Sequence, residues 1–173
     1  MKRIISSLCA VILAISAIGQ NTFEVGDLIT YEITSENTVE VHDCDTYATE
    51  VTIPETIVTN DSITYNVTSI GSNAFQSNYS LEEVTIPNSV TTIAINAFDN
   101  AGKRDTINGV VYSGNDTLNV SNYKFTNIGF LTFHLGNETY QTTEASVVYC
   151  DRTKSGAVVI SDSITFNDNT YPV

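Results

Sequence analysis

The chain has 173 residues, enough for one ordinary domain, and carries 20 Asp and Glu against 7 Lys and Arg, a net charge of −13. A body this acidic repels phosphate backbones and anionic lipid head groups, which argues against nucleic acid and bare membrane surface as partners. The acids are scattered rather than blocked, so there is no acidic tail, and solubility is their plainest role.

Lys2 and Arg3 precede an apolar run from Ile4 to Ile18, broken only by Ser6, Ser7 and Ser16, and Ala17-Ile18-Gly19 offers small residues at a cut. This is the layout of a secretory signal peptide over residues 1–19, cleaved after Gly19, and it predicts a secreted or cell-surface protein. The run is short of the roughly 20 apolar residues that span a bilayer, and no later segment reaches that length, so no membrane span is expected after cleavage. Cys9 lies too early in the run to be an acylated cysteine. Removal of the leader leaves 5 basic residues against 20 acidic ones, a net charge near −15.

The informative part of the chain begins at Val51-Thr52-Ile53-Pro54, whose four letters return as Val84-Thr85-Ile86-Pro87. Alternation sends Val and Ile to one face of a short strand and Thr to the other. The proline cannot donate to a ladder, so it closes each strand after three or four residues. Between these copies, Asn60-Asp61-Ser62 separates β-forming residues and predicts an inserted hairpin over Val58 to Asn66. A second echo follows: Val67-Thr68-Ser69-Ile70-Gly71-Ser72-Asn73-Ala74-Phe75 is repeated 23 residues later by Val90-Thr91-Thr92-Ile93-Ala94-Ile95-Asn96-Ala97-Phe98. A fixed period in the twenties marks stacked coils that bury their apolar faces only against their neighbours. The predicted core is Val51, Ile53, Val67, Ile70, Ala74, Phe75, Leu81, Val84, Ile86, Val90, Ile93, Ala97 and Phe98. Ala-Phe is expected on a single helical turn in each coil, where the small residue permits close approach. Full burial of the large one stabilises by about 1.5–3 kcal/mol.

These residues resemble the BspA-like leucine-rich repeat family, whose units read roughly L-x-x-V-x-I-P-x-S-V-T-x-I-G-x-x-A-F. Leu81, Val84, Ile86, Pro87, Ser89, Val90, Thr91, Ile93, Ala97 and Phe98 carry the match, with Val67, Thr68, Ile70, Gly71, Ala74 and Phe75 in the preceding unit. Ala94 replaces the usual Gly, and Asn78 stands where a Cys or Asn often ends the unit. The match covers about Val51 to Asn100, after which the pattern is expected to fail, because Arg104 falls where the next leucine should be. The resemblance implies a mainly β, short leucine-rich-repeat-type solenoid with short parallel strands, single helical turns and inserted β-hairpins. It also implies the role of a surface adhesin or interaction protein.

Beyond residue 100, Ile107-Asn108-Gly109-Val110 predicts a hairpin, and Lys124 to Phe133 a further β segment. A looser duplication then sets Phe23-Glu24-Val25-Gly26 against Phe133-His134-Leu135-Gly136 and Thr30-Tyr31 against Thr139-Tyr140. It continues with Cys44 against Cys150, Val51-Thr52-Ile53 against Val158-Val159-Ile160, and Thr64-Tyr65-Asn66-Val67 against Thr170-Tyr171-Pro172-Val173, at offsets from 106 to 110. The expected organisation is a first module over 20–103, a hairpin connecting segment over 104–132 and a second, truncated copy over 133–173. Parallel strands lie about 4.8 Å apart, and more than two of them separate Cys44 from Cys150. That distance disfavours a bridge, which needs Cα atoms within roughly 7 Å.

Little in the chain points to chemistry. His42 and His134 lack metal-type partner spacings, and Asp43-Cys44-Asp45 beside His42 is more often a solvated turn than a site. Asn167-Asp168-Asn169 matches no calcium loop, and there is no phosphate loop, nucleophile elbow or zinc-protease motif. Six N-x-S/T sequons, at Asn60, Asn66, Asn78, Asn115, Asn119 and Asn137, arise from composition. No catalytic, cofactor-binding or metal residue is therefore predicted. The expected function is non-catalytic binding of a protein or glycan at the cell surface or outside the cell. The alternative is the truncated N-terminal scaffold of a larger exported enzyme or sorted repeat protein.

Overall fold

The computed structural model describes residues 21–173 apart from 108, 116, 121, 154 and 155, so the predicted leader lies outside the described residues. Every regular element among them is a strand. β1 (Thr22–Glu24), β2 (Ile29–Ile33) and β3 (Thr38–Cys44) run antiparallel, with Phe23 opposite Tyr31 and Glu32 opposite Glu40. Alternation turns Tyr31, Val39 and Val41 into the core and Glu32 and Glu40 away from it.

β4 (Glu50–Thr52) opens the first coil, and Pro54 follows it. β5 (Thr56–Val58) and the first half of β6 (Thr64–Ile70) are the inserted hairpin, with Ile57 opposite Tyr65. Past the hairpin, β6 runs parallel to β3 and sets Val67 beside Val39 and Ile70 beside Val41. β7 (Glu83–Ile86) and β8 (Thr92–Ile93) form the second coil. β7 lies parallel on β4 with Val84 beside Val51, and β8 lies parallel on β6 with Ile93 beside Ile70.

The 23-residue echo is read at three levels. Backbone bonds join the coils: the Phe75 N–H donates to the Ala97 carbonyl at 2.8 Å, Thr91 to Thr68 at 2.9 Å and Ala94 to Ile70 at 3.0 Å. Asn96 Nδ2 donates to Asn73 Oδ1 at 2.7 Å. The Phe75 and Phe98 rings stack 4.6 Å apart and 3° from parallel. Val51, Ile53, Val67, Ile70, Ala74, Phe75, Leu81, Val84, Ile86, Val90, Ala97 and Phe98 are buried, and Ile93 is partly exposed.

The expected helical turns at Ala74-Phe75 and Ala97-Phe98 are tandem β-turns instead, with Gln76 bonded to Asn73, Asn78 to Phe75, Ala97 to Ala94 and Asp99 to Asn96. Asn73, Ser77 and Asn100 hold φ of 65°, 60° and 60°. A left-handed residue ends a right-handed helix before it can propagate.

The repeat does not fail after Asn100. β9 (Asp105–Ile107) pairs with β10 (Val110–Ser113), and β11 (Thr117–Val120) with β12 (Tyr123–Thr126), in two hairpins. β13 (Thr132–Leu135) then lies parallel on β7, with Phe133 beside Val84 and Leu135 beside Ile86. The third coil thus resumes 49 residues after the second, and the hairpins occupy the interval. Arg104 is no core substitute for leucine, since its guanidinium covers the Tyr79 ring at 5.3 Å. The return to the stack requires backbones in contact. A Cβ on Gly129 would sit 2.4 Å from the Gly102 carbonyl oxygen, so only glycine fits there.

β14 (Glu138–Gln141) folds back on β13 and sets Tyr140 opposite Phe133, as Tyr31 faces Phe23. β15 (Ser146–Cys150) pairs with β10 rather than β14. β16 (Ser163–Phe166) and β17 (Asn169–Pro172) close a hairpin with Ile164 opposite Tyr171. The Val173 N–H bonds to the Asp162 carbonyl at 2.9 Å, the counterpart of Val67 to Glu55 at 2.9 Å. Phe130, stacked on Phe166 at 4.3 Å, and Tyr171 anchor a second, smaller core. The segment Val158-Val159-Ile160 forms no strand, unlike Val51-Thr52-Ile53, because no described strand lies beside it as β7 lies beside β4. Cys44 is buried, Cys150 is half-buried, and both are free.

Candidate functional site

The parallel ladder of β4, β7 and β13 converts distant sequence positions into rows. Val51, Val84 and Phe133 form the inward row, and Glu50, Glu83 and Thr132 an outward one. Thr52, Thr85 and His134 form the second outward row. β14 extends these rows, with Gln141 opposite Thr132 and Thr139 opposite His134. Residues far apart in sequence are thereby held about 4.8 Å apart on one face. The face is cross-linked by polar contacts. His134 Nε2 lies 3.2 Å from Glu83 Oε1, His134 Nδ1 lies 3.0 Å from Thr139 Oγ1, and Gln141 Nε2 donates to Thr132 Oγ1 at 3.3 Å. Lys103 pairs with Glu82 at its edge. Such an array offers fixed donors and acceptors to a flat partner, and its hydroxyls belong to threonines held by neighbouring strands.

A different polar group lies on the outer face of the other sheet. His42, which has no metal-type partner spacing in the sequence, lies beside Glu32 and Glu40. Its Nδ1 is 3.2 Å from Glu32 Oε2, and one ligand atom from each of the three residues lies within 4.8 Å of the others. Two local features produce this. Glu32 and Glu40 are directly opposed across β2 and β3. A β-bulge, where Thr30–Tyr31 faces Val41–Asp43, leaves His42 as the extra residue on the outward side of β3. Ser69 and Thr92 continue the row on β6 and β8, and Ser69 Oγ approaches Glu40 Oε2 at 3.5 Å.

The turn Asp43-Cys44-Asp45 is not a ligand set. Cys44 points into the core, Asp43 Oδ1 accepts the Cys44 N–H at 3.0 Å, and Asp45 Oδ1 accepts the Tyr47 N–H at 2.8 Å. Burial first, and then the adjacent Asp43 and Asp45 carboxylates, push the Cys44 thiol up to about 12. Burial, with a smaller contribution from Cys44, likewise pushes the Tyr31 phenol up to about 12. Cys44 is thus a protonated core residue, not a nucleophile. Asn167-Asp168-Asn169 has a structural explanation: Asn167 and Asp168 take φ of 47° and 61° in the two-residue turn between β16 and β17. Asn78, one of the sequon asparagines, is fully buried. Its Nδ2 donates to the Asp45 carbonyl at 3.1 Å, its Oδ1 accepts the Ser80 N–H at 3.1 Å, and its own carbonyl accepts Gly102 at 3.0 Å. It ties the turn of one coil to the next.

The repeat geometry agrees with comparison to known proteins. Residues 54–171 match the family described as the BspA type leucine-rich repeat region, in 6 copies. The chain belongs to the BspA-type leucine-rich repeat family. The matched range runs well past Asn100, in keeping with the third coil at β13. No curated protein matches the chain. Among solved structures, a leucine-rich repeat protein from Bacteroides capillosus ATCC 29799 is 29% identical over 49% of this chain and 65% of its own, with a TM-score of 0.43. One from Bacteroides ovatus ATCC 8483 is 37% identical over 45% of this chain and 21% of its own, at 0.42. A leucine rich cell surface protein from Faecalibacterium prausnitzii A2-165 is 29% identical over 46% of this chain and 21% of its own, at 0.41. This BspA-type chain therefore spans less than two thirds of the length of each of these relatives. Among its described residues, no helix is long and apolar enough to cross a membrane.

Proposed function

We propose that this BspA-type chain is an exported, non-catalytic interaction module that binds a protein or glycan at the cell surface or outside the cell. The outer face of the β4–β7–β13–β14 sheet is its contact surface. The in-register rows Glu50–Glu83–Thr132 and Thr52–Thr85–His134 carry this reading. They present polar side chains on a scaffold whose other side is fully packed, which is how repeat proteins build extended binding surfaces. The leader-like N-terminus and membership of a repeat family support export and interaction. The acidic members of the rows favour partners that present Lys, Arg or sugar hydroxyls.

The test is a screen of the chain from Gln20 onward against glycan arrays and immobilised extracellular proteins. Saturable binding at micromolar concentration is the expected result. Absence of any partner at that concentration, with the chain shown to be folded, would count decisively against the reading.

A further inference from the structure

We propose that Glu32, Glu40 and His42 form a surface site for a divalent transition cation of the zinc class. One imidazole and two carboxylates are a donor set suited to such ions. Bonds of about 2.1 Å to a tetrahedral ion place its ligand atoms about 3.4 Å apart. The His42 Nδ1 to Glu32 Oε2 separation of 3.2 Å already meets that spacing, and the remaining atoms lie within 4.8 Å, inside the reach of a glutamate rotamer. The one remaining coordination position would hold water.

Three further observations point to a cation. Glu32 and Glu40 are directly opposed on adjacent strands, a like-charge pairing that destabilises a sheet unless something lies between the charges. Among the described residues, the lysine ion pair is made elsewhere, by Lys103 with Glu82, and no Lys or Arg neutralises Glu32 or Glu40. Gly71, the residue after β6, leaves room for the carboxylate, because a Cβ there would stand 2.6 Å from Glu40 Oε1. None of this depends on what the β4–β7–β13–β14 face binds.

The second histidine is an internal control, because His134 meets one carboxylate, Glu83, and a threonine hydroxyl. The experiment titrates ZnCl2 into the untagged chain while following the ring resonances of both histidines by NMR. The His42 signals should shift or broaden and saturate near one equivalent, with His134 responding only at large excess. Glu40→Gln should weaken the His42 response at least tenfold, and Glu32→Gln, a second surface variant, should do the same. Unchanged dispersion of the remaining resonances shows that each variant is folded. His42 and His134 responding together, His42 silent at tenfold excess of zinc, or full affinity in both glutamine variants would each overturn the site.

Discussion

Phe98→Ala is the sharpest perturbation of this fold. The ring is 1% exposed and sits where three coils meet. It stacks on Phe75 at 4.6 Å and meets Phe133 and Phe125 edge-on at 5.1 and 5.3 Å. Truncating a buried phenylalanine costs about 3–5 kcal/mol. Each aromatic pair adds about 0.5–1.5 kcal/mol beyond its area, which places this site at the upper end, about 4–5 kcal/mol. For a chain of this size each kcal/mol moves the melting point by about 2–4 °C, so a drop of about 8–20 °C is expected. Against a total stability of about 5–15 kcal/mol, that loss is between about a third and nearly all of it. Thermal and urea unfolding, followed by tyrosine near-UV circular dichroism, reads this directly. Val159→Ser, at a residue 85% exposed, serves as the control and should shift stability by no more than about 0.5 kcal/mol. A melting point for Phe98→Ala within two or three degrees of the parent would refute the three-coil core.

Asn78→Ala should cost about 1–3 kcal/mol, because it removes the two hydrogen bonds of a fully buried amide, to the Asp45 carbonyl and from the Ser80 N–H; unchanged urea midpoints would contradict the bonds assigned to it. Gly129→Ala should cost about 3 kcal/mol or more, since a backbone carbonyl cannot yield as a side chain can, and a neutral effect would remove the close crossing. The raised Cys44 thiol and Tyr31 phenol bind protons more tightly when folded. Their stabilisation is complete below the unfolded values near 9 and 10 and is lost as pH rises toward about 12. Urea midpoints should therefore fall between pH 8.5 and 11, less steeply in Cys44→Ala; a flat profile in the parent would count against burial of both groups.

The parts of the fold visible in the sequence are those where one local pattern recurs at short range. Val84-Thr85-Ile86-Pro87 and the 23-residue echo show their coils because strand, turn and plug lie within one unit. The third coil was hidden because Phe133 and Leu135 stand where Val and Ile were expected, Gly136 replaces the proline, and two hairpins intervene. The turns are not helical because Ala-Phe fixes only what is buried, while Asn73 and Ser77 fix the backbone through positive φ. The Glu32–Glu40–His42 group lay beyond sequence reading, since it depends on strand register and on a bulge. The one available signal was Glu40-x-His42, two polar residues at the alternation that places them on the same face of a strand.

The ladder explains how a chain with no catalytic motif can still carry function: its rows are specified by stacking, not by any contiguous segment. Residues such as Thr52, Thr85 and His134 are unremarkable in sequence and become neighbours only through the register of β4, β7 and β13. The most direct test of the proposed binding face compares the affinity of a captured glycan or protein for the parent, for Thr85→Arg at the centre of the ladder, and for Thr165→Arg on the β16–β17 hairpin. The account predicts at least tenfold weaker binding by Thr85→Arg and parent-like binding by Thr165→Arg. Equal affinity of all three would contradict it.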